Sequence, residues 1–280
     1  MQGLTQLTIW LNAAANAGGK WFFAPIAILP GWLSATLYAA FTGVLMLIVI
    51  KYTSNQGAIK RIRDGINADL LSLKLFKDNT RVTFQAQGRL LSGALKLLIF
   101  GLTPTLVMIV PFTLFMGQLS LWYQQRPIPV GQEAVVTVLL NDAGDAPFPQ
   151  VELRPQSAIE ATAGPVRVLS KREICWNLKP LERGHHQLLF HAGDESIAKD
   201  LAAGDGLMRV SAQKPDWNWL DTLMYPAEEP FGPHSLVRSI EIAYPKSSSW
   251  ATGADRWVIF WFLVSMLTAF CFRRTLRVNL

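Results

Sequence analysis

The side chains able to do chemistry are few and thinly spread. His185, His186 and His191 form the one cluster of metal-ligating type. In an extended strand His185 and His191 share a face while His186 turns away, and at ~3.3 Å per residue the outer pair stand ~20 Å apart. A single strand therefore cannot bring them onto one metal. Asp194-Glu195 reads as a turn rather than a catalytic carboxylate pair. The chain carries no G-x-S-x-G, HExxH, phosphate-loop or dinucleotide pattern. A protein that is not an enzyme, with no cofactor and no metal, is expected. The remaining polar groups of interest lie in or beside apolar runs. Lys51 closes an uncharged stretch, where it either snorkels to headgroups or projects into a polar groove. The hydroxyls of Thr36, Thr42, Thr103, Thr105, Thr113 and Ser265 either line such a groove or serve helix packing.

These groups must be positioned by the apolar runs themselves. Trp21–Ile50, Leu97–Gly117 and Trp257–Phe272 contain no Asp, Glu, Lys or Arg. A bilayer core of ~30 Å takes roughly 20 apolar residues of helix, so three membrane spans are expected. Charge supplies the orientation. The net charge is +6, and Lys51–Lys96 alone holds nine basic residues against three acidic ones. Gln118–Asp255 holds twelve basic and seventeen acidic, and Arg273, Arg274 and Arg277 crowd the end. Basic residues gather in short cytoplasmic loops, which predicts N-out, C-in. Because the positive charge sits beside spans and no zinc, RRM or KH pattern occurs, specific nucleic-acid binding is not expected. Lys20 is preceded by nineteen uncharged residues, so the basic start of a signal peptide is missing. Cys175 and Cys271 fall in different regions and are expected to stay unpaired.

Along the chain, residues 1–30 are expected to form an interfacial helix over Leu4–Ala17, broken at Gly18-Gly19-Lys20 and followed by aromatic residues at headgroup level. Residues 31–52 form the first span. Residues 53–92 form a basic cytoplasmic hairpin of coiled-coil type, or a long bent helix running into the second span at 93–118. Ile59, Ile62, Ile66, Leu70 and Leu73 repeat at helical spacing, and Asp78-Asn79 signals a turn. Gln56, Lys60, Arg61, Arg63, Lys74, Lys77, Arg81 and Arg89 are its polar and basic candidates. Pro104 and Pro111 bend the second span or frame a cavity.

Residues 119–250 change to period two. Strands are expected at Ala134–Leu140, Gln150–Arg154, Val166–Leu169, Arg172–Leu178, His185–His191, Ser196–Leu201, Leu207–Ala212 and Ser239–Tyr244, making an extracytoplasmic antiparallel β-sandwich. The aromatic stretch Trp217–Tyr225 either rests on the membrane or closes the sandwich core. Residues 254–273 form the third span and 274–280 a cytoplasmic tail. The fold class is thus an α + β membrane protein.

Several of these residues together resemble the YidC/Oxa-type membrane insertase superfamily, including its archaeal and endoplasmic-reticulum branches. They are Lys20-Trp21-Phe22-Phe23-Ala24-Pro25, Val49-Ile50-Lys51, Gln56 with Ile59-Lys60-Arg61-Ile62, Gln87-Gly88, Thr103-Pro104 and Ile109-Val110-Pro111-Phe112. The resemblance implies a biogenesis factor in a bacterial inner membrane. Its hairpin captures hydrophobic segments, and Lys51 faces a hydrophilic groove open to the cytoplasm. The partners implied are membrane lipids, newly made membrane proteins and the ribosome, with a second copy or another membrane protein completing the groove. Two features depart from that pattern: a sandwich between spans two and three, and three spans where bacterial cores have five. The alternative is a membrane-anchored binding or sensory protein whose working part is the sandwich.

Overall fold

The computed structural model describes residues 2–53, 56–75, 80–141, 148–193, 195–246, 249–253, 256–276 and 278. The chain is α + β, with six α-helices and eight antiparallel strands among these residues. It divides into two compact units. One comprises Met1–Ala35 and Thr113–Phe260, the other Thr36–Phe112 and Trp261–Leu280.

The first unit begins with α1 (Gln2–Phe22). The expected break at Gly18-Gly19 does not occur, because Gly19 serves a close approach. A Cβ there would lie 2.7 Å from Oε1 of Gln118, so glycine lets the helix pack against that side chain. A 3₁₀ turn at Ala24–Ala27 then carries Pro25 near its start, where a missing N–H costs nothing.

The sheets follow from alternation. In β1 (Ala134–Leu140), Val136, Val138 and Leu140 are buried. They pair across with Trp176 and Ile174 of β4 (Glu173–Pro180), and with Ile242 and Ile240 of β8 (Val237–Ile242). β3 (Ile159–Val168) and β7 (Gln213–Lys214) complete a five-stranded sheet of order β3-β4-β1-β8-β7. β2 (Val151–Leu153), β5 (Gly184–Ala192) and β6 (Glu195–Ala203) form a three-stranded sheet of order β2-β5-β6. The inner faces of both sheets share one core, in which the Trp176 and Phe190 rings meet at 5.3 Å.

Two strand expectations need correction. β3 starts at Ile159, seven residues earlier than predicted, and stays paired by shifting register at Ala161/Ala163 and Ala163/Val166. Leu207–Ala212 forms no strand. The Val210 N–H donates to Leu121 O near the end of the helix that closes at Tyr123, and the stretch meets the sheet at Ala212, whose O accepts from Ile242 N–H. The expected turn at Asp78-Asn79 lies outside the described residues, as does Asp194.

In the second unit, α3 (Gln56–Leu75) packs antiparallel on the first half of α4 (Thr80–Tyr123). A Cβ at Gly93 would meet Ile66 Cγ1 at 2.7 Å, and Arg89 Nε binds Asp69 Oδ1 at 2.7 Å. α4 continues without a break for 44 residues, ~66 Å at 1.5 Å per residue. α3 and the first half of α4 are thus two antiparallel arms, and the second arm continues into the next apolar helix. Among the described residues two helices are long and apolar enough to cross a membrane, Gly31–Thr53 (α2) and Thr105–Tyr123 within α4. The third expected span, α6 (Trp257–Phe272), is apolar but has 16 residues.

Candidate functional site

The hairpin combines exposed positive charge with exposed apolar bulk. Lys60, Arg61, Lys74 and Arg89 are exposed, and Arg63 is half-buried. Ile59, Ile62, Ile66 and Leu73 are half-buried, as a packing stripe requires, but Leu70 at the same spacing is exposed. Leu71, Leu75, Phe84 and Leu91 are exposed as well, Phe84 to 80% and Leu91 to 74%. The row continues along α4 through Leu95, Leu98, Leu102, Leu106 and Ile109, all more than 45% exposed. Their spacing keeps them on one side of the helix. Lys77 lies outside the described residues, and so do the side chains of Gln56 and Arg81.

The candidate groove residues are dispersed. Lys51 is exposed at the end of α2, its ammonium 5.9 Å from the Tyr52 ring centre. Thr42 and Ser265 are buried. Their hydroxyls donate to carbonyls of their own helices, Tyr38 O at 2.6 Å and Phe262 O at 3.0 Å. Trp261 Nε1 donates to Thr42 Oγ1 at 3.4 Å. Gly43 faces the Ser265 backbone so closely that a Cβ would meet its C and Cα at 3.1 and 3.2 Å. Thr42 and Ser265 thus belong to a tight α2–α6 contact. Thr105 is exposed, and its hydroxyl is returned to Gly101 O at 3.0 Å. Thr36 and Thr113 are half-buried, and the Thr103 side chain lies outside the described residues.

α1 is amphipathic in an inverted sense. Its polar residues Thr5, Thr8 and Asn12 are buried, while Leu4, Leu7 and Trp10 are 57%, 55% and 69% exposed. The polar face is held by side chain–backbone bonds. Asn12 Nδ2 donates to Thr222 O and Asn16 Nδ2 to Pro226 O, both at 2.7 Å. Thr222 belongs to α5 (Trp219–Met224), whose N-cap Asn218 accepts from Leu220 N–H. The aromatic stretch therefore packs under α1, leaving Trp219, Leu220 and Met224 exposed.

One polar constellation was not anticipated. Lys199 is fully buried at a core position of β6, between Ile197 and Leu201. Its ammonium binds Glu228 Oε1 at 2.6 Å, Ser211 O at 2.7 Å and Ser211 Oγ at 3.0 Å. Ser211 Oγ also donates to Glu228 Oε1. Burial pushes the Lys199 pKa down, and the Glu228 carboxylate opposes that shift. The alternation Ile197-x-Lys199-x-Leu201 was the available signal, since it puts a lysine among core residues. Beside this group lies a cavity of about 350 Å³ lined by Lys20, His185, His186, Gln187, Asp200, Arg209, Ser211 and Ala227. Among the described residues no group of three or more His, Cys, Asp or Glu is placed to hold a metal. Both cysteines are free.

No protein-family model matches the chain, and no curated protein matches it. Among solved structures it is similar to one described as the crystal structure of domains 4 and 5 of the S-layer protein SbsC. The identity is 13%, over 29% of this chain and 48% of that one, with a TM-score of 0.24. The chain spans about half the length of that structure, and the likeness is too slight to assign fold or function.

Proposed function

We propose that this is a three-span inner-membrane protein, N-out and C-in, that captures apolar segments of newly made membrane proteins and aids their insertion without enzymatic turnover. The observation that carries the reading is the hairpin surface, where Lys60, Arg61 and Lys74 are exposed together with Leu71, Leu75, Phe84 and Leu91. Basic residues hold such a surface at anionic headgroups at ~1 kcal/mol each, and the leucines and Phe84 offer an apolar client a partner before it reaches lipid. The row then leads along α4 into its apolar half, so one helix surface serves capture and transfer. In this reading the client runs along the outer face of α4, beside the tightly packed α2 and α6, with Lys51 at the inner end of α2. The 16 residues of α6 span only ~24 Å. Such a short span thins the bilayer locally, and thinning lowers the cost of moving polar groups across.

The membrane reading itself is supported by where polarity lies. Large apolar side chains such as Leu98, Ile99, Ile259, Phe262 and Leu263 are exposed, while Ser34, Thr42 and Ser265 are buried. This distribution suits a lipid solvent. A second reading, a membrane-anchored binding protein, is favoured by an open cleft of about 750 Å³ between the sheet edges at β2 and β3, lined in part by Trp176, Ile159 and Leu188.

The test places a photocrosslinker at Leu71 or Leu75 and translates ribosome-bound membrane-protein chains into vesicles containing the full protein. Crosslinks to the apolar segment, reduced when Lys60, Arg61 and Arg63 become Gln, support capture. Equal crosslinking to a polar control segment, or none to either, refutes it in favour of the anchor.

A further inference from the structure

The cavity beside Lys199 takes no part in client capture, yet its lining has the chemistry of a ligand site. Lys20 comes from the last turn of α1, His185 and Gln187 from β5, Asp200 from β6, and Arg209 from the segment that follows β6. Arg209 is held in place by one side-chain bond among the described residues, from a terminal nitrogen to Asn16 Oδ1 at 2.6 Å. Gln118 Nε2 donates to the same oxygen at 2.7 Å, which fixes Asn16 and through it the guanidinium. The remaining guanidinium N–H groups are left to serve a ligand.

Charge narrows the ligand. Lys20 and Arg209 face Asp200, while Glu228 behind the wall is neutralised by Lys199 at 2.6 Å. Lys20 and Arg209 against Asp200 leave one net positive charge among the Lys, Arg and Asp side chains of the lining. That matches a singly charged phosphodiester better than a doubly charged free phosphate. Arginine binds such a group through two parallel N–H donors, lysine adds a point charge, and the imidazoles and Gln187 supply further hydrogen bonds. Position narrows its source. Trp21, directly after Lys20, is 87% exposed, and Phe22 is 44% exposed. Aromatic residues of this kind settle at headgroup level, and the outward apolar face of α1 belongs at the same depth.

We propose that this cavity binds the phosphodiester headgroup of a membrane phospholipid, with Lys20 and Arg209 on the phosphate and Asp200 on a hydroxyl or ammonium of the headgroup. The phosphodiester site stands independently of client capture. Only its lipid source rests on α1 lying in the membrane interface.

The test uses the full chain in a maltoside detergent, which contains no phosphorus, and reads ³¹P line broadening. The probes are glycerophosphoethanolamine and inorganic phosphate. The wild type should broaden the diester and leave inorganic phosphate sharp. Arg209→Gln should weaken diester binding by about tenfold, the loss of one charge-assisted contact, and Arg209→Lys should restore part of it. Because Arg209 also anchors Asn16, Lys20→Gln gives the cleaner result: Lys20 is exposed, and its loss should weaken the diester by a similar factor without unfolding. Diester broadening that is absent, or unchanged by Lys20→Gln, overturns the site. Inorganic phosphate bound as well as the diester, and weakened by Lys20→Gln, overturns the lipid assignment. Quenching of Trp21 by brominated lipid in vesicles tests the interfacial position separately: its loss with diester binding retained removes the lipid source and leaves the phosphodiester site standing.

Discussion

At Gly43 the backbones of α2 and α6 approach closely, and this sets a sharp test of their packing. A Cβ at that position would stand 3.1 and 3.2 Å from the Ser265 C and Cα, and nearer still to its carbonyl oxygen. These are backbone atoms, so no rotamer change relieves the overlap. Restoring ordinary carbon contact at ~3.5–4.0 Å requires the helices to part by roughly 0.5 Å or more. A gap of that size forfeits about a quarter of each contact along the seam. Overpacking of this kind costs ~1–3 kcal/mol. Against it, alanine gains ~1 kcal/mol of helix propensity over glycine. Gly101→Ala provides the control, because nothing lies within 4 Å of a Cβ there and only the propensity gain should appear. The two alanines share that gain, so the difference between them isolates packing: Gly43→Ala should be less stable than Gly101→Ala by ~1–3 kcal/mol. Unfolding by sodium dodecyl sulfate in mixed micelles, followed by far-ultraviolet circular dichroism, measures it. A Gly43→Ala protein as stable as Gly101→Ala would refute the close α2–α6 seam.

Two further outcomes concern the sandwich. Lys199→Met strands the Glu228 carboxylate, whose side chain is 9% exposed, and should cost ~3–5 kcal/mol in chemical denaturation, while Lys199→Met with Glu228→Leu should recover most of it. A single variant as stable as wild type would refute the ion pair. Burial lowers the His185 pKa below its usual 6.5, with Asp200 opposing and Arg209 and His186 assisting. As pH falls through that value the unfolded chain takes up the proton first, so stability should decline and then level off once the folded value is passed. His185→Gln should flatten that part of the profile of thermal midpoint against pH, and an unchanged slope would refute the assignment.

What was legible in the sequence was whatever a local period encodes. Val136, Val138 and Leu140 alternate, and β1 forms over the predicted residues, Ala134–Leu140. Ile59, Ile62 and Ile66 repeat at helical spacing, and they face Gly93 or lie along the same stripe. What failed depended on a distant partner. Gly18-Gly19 reads as a breaker until Gln118 is seen filling the space that a Cβ would take. Leu207–Ala212 alternates as a strand does, but its Val210 N–H is claimed by Leu121 O. The same limit governs function. The hydroxyls of Thr42 and Ser265 were legible as polar groups in apolar helices, but the distant contacts that bury them, Gly43 against the Ser265 backbone and Trp261 Nε1 on Thr42 Oγ1, were not. Lys20 and Arg209 were visible only as isolated charges nearly two hundred residues apart, and the fold brings both to one cavity wall. Sequence period therefore predicts which residues are buried together, whereas a ligand site forms where unrelated segments converge. That is why the polar chemistry proposed for this protein lies at Lys20 and Arg209, outside the hydroxyl set first suggested by its apolar runs.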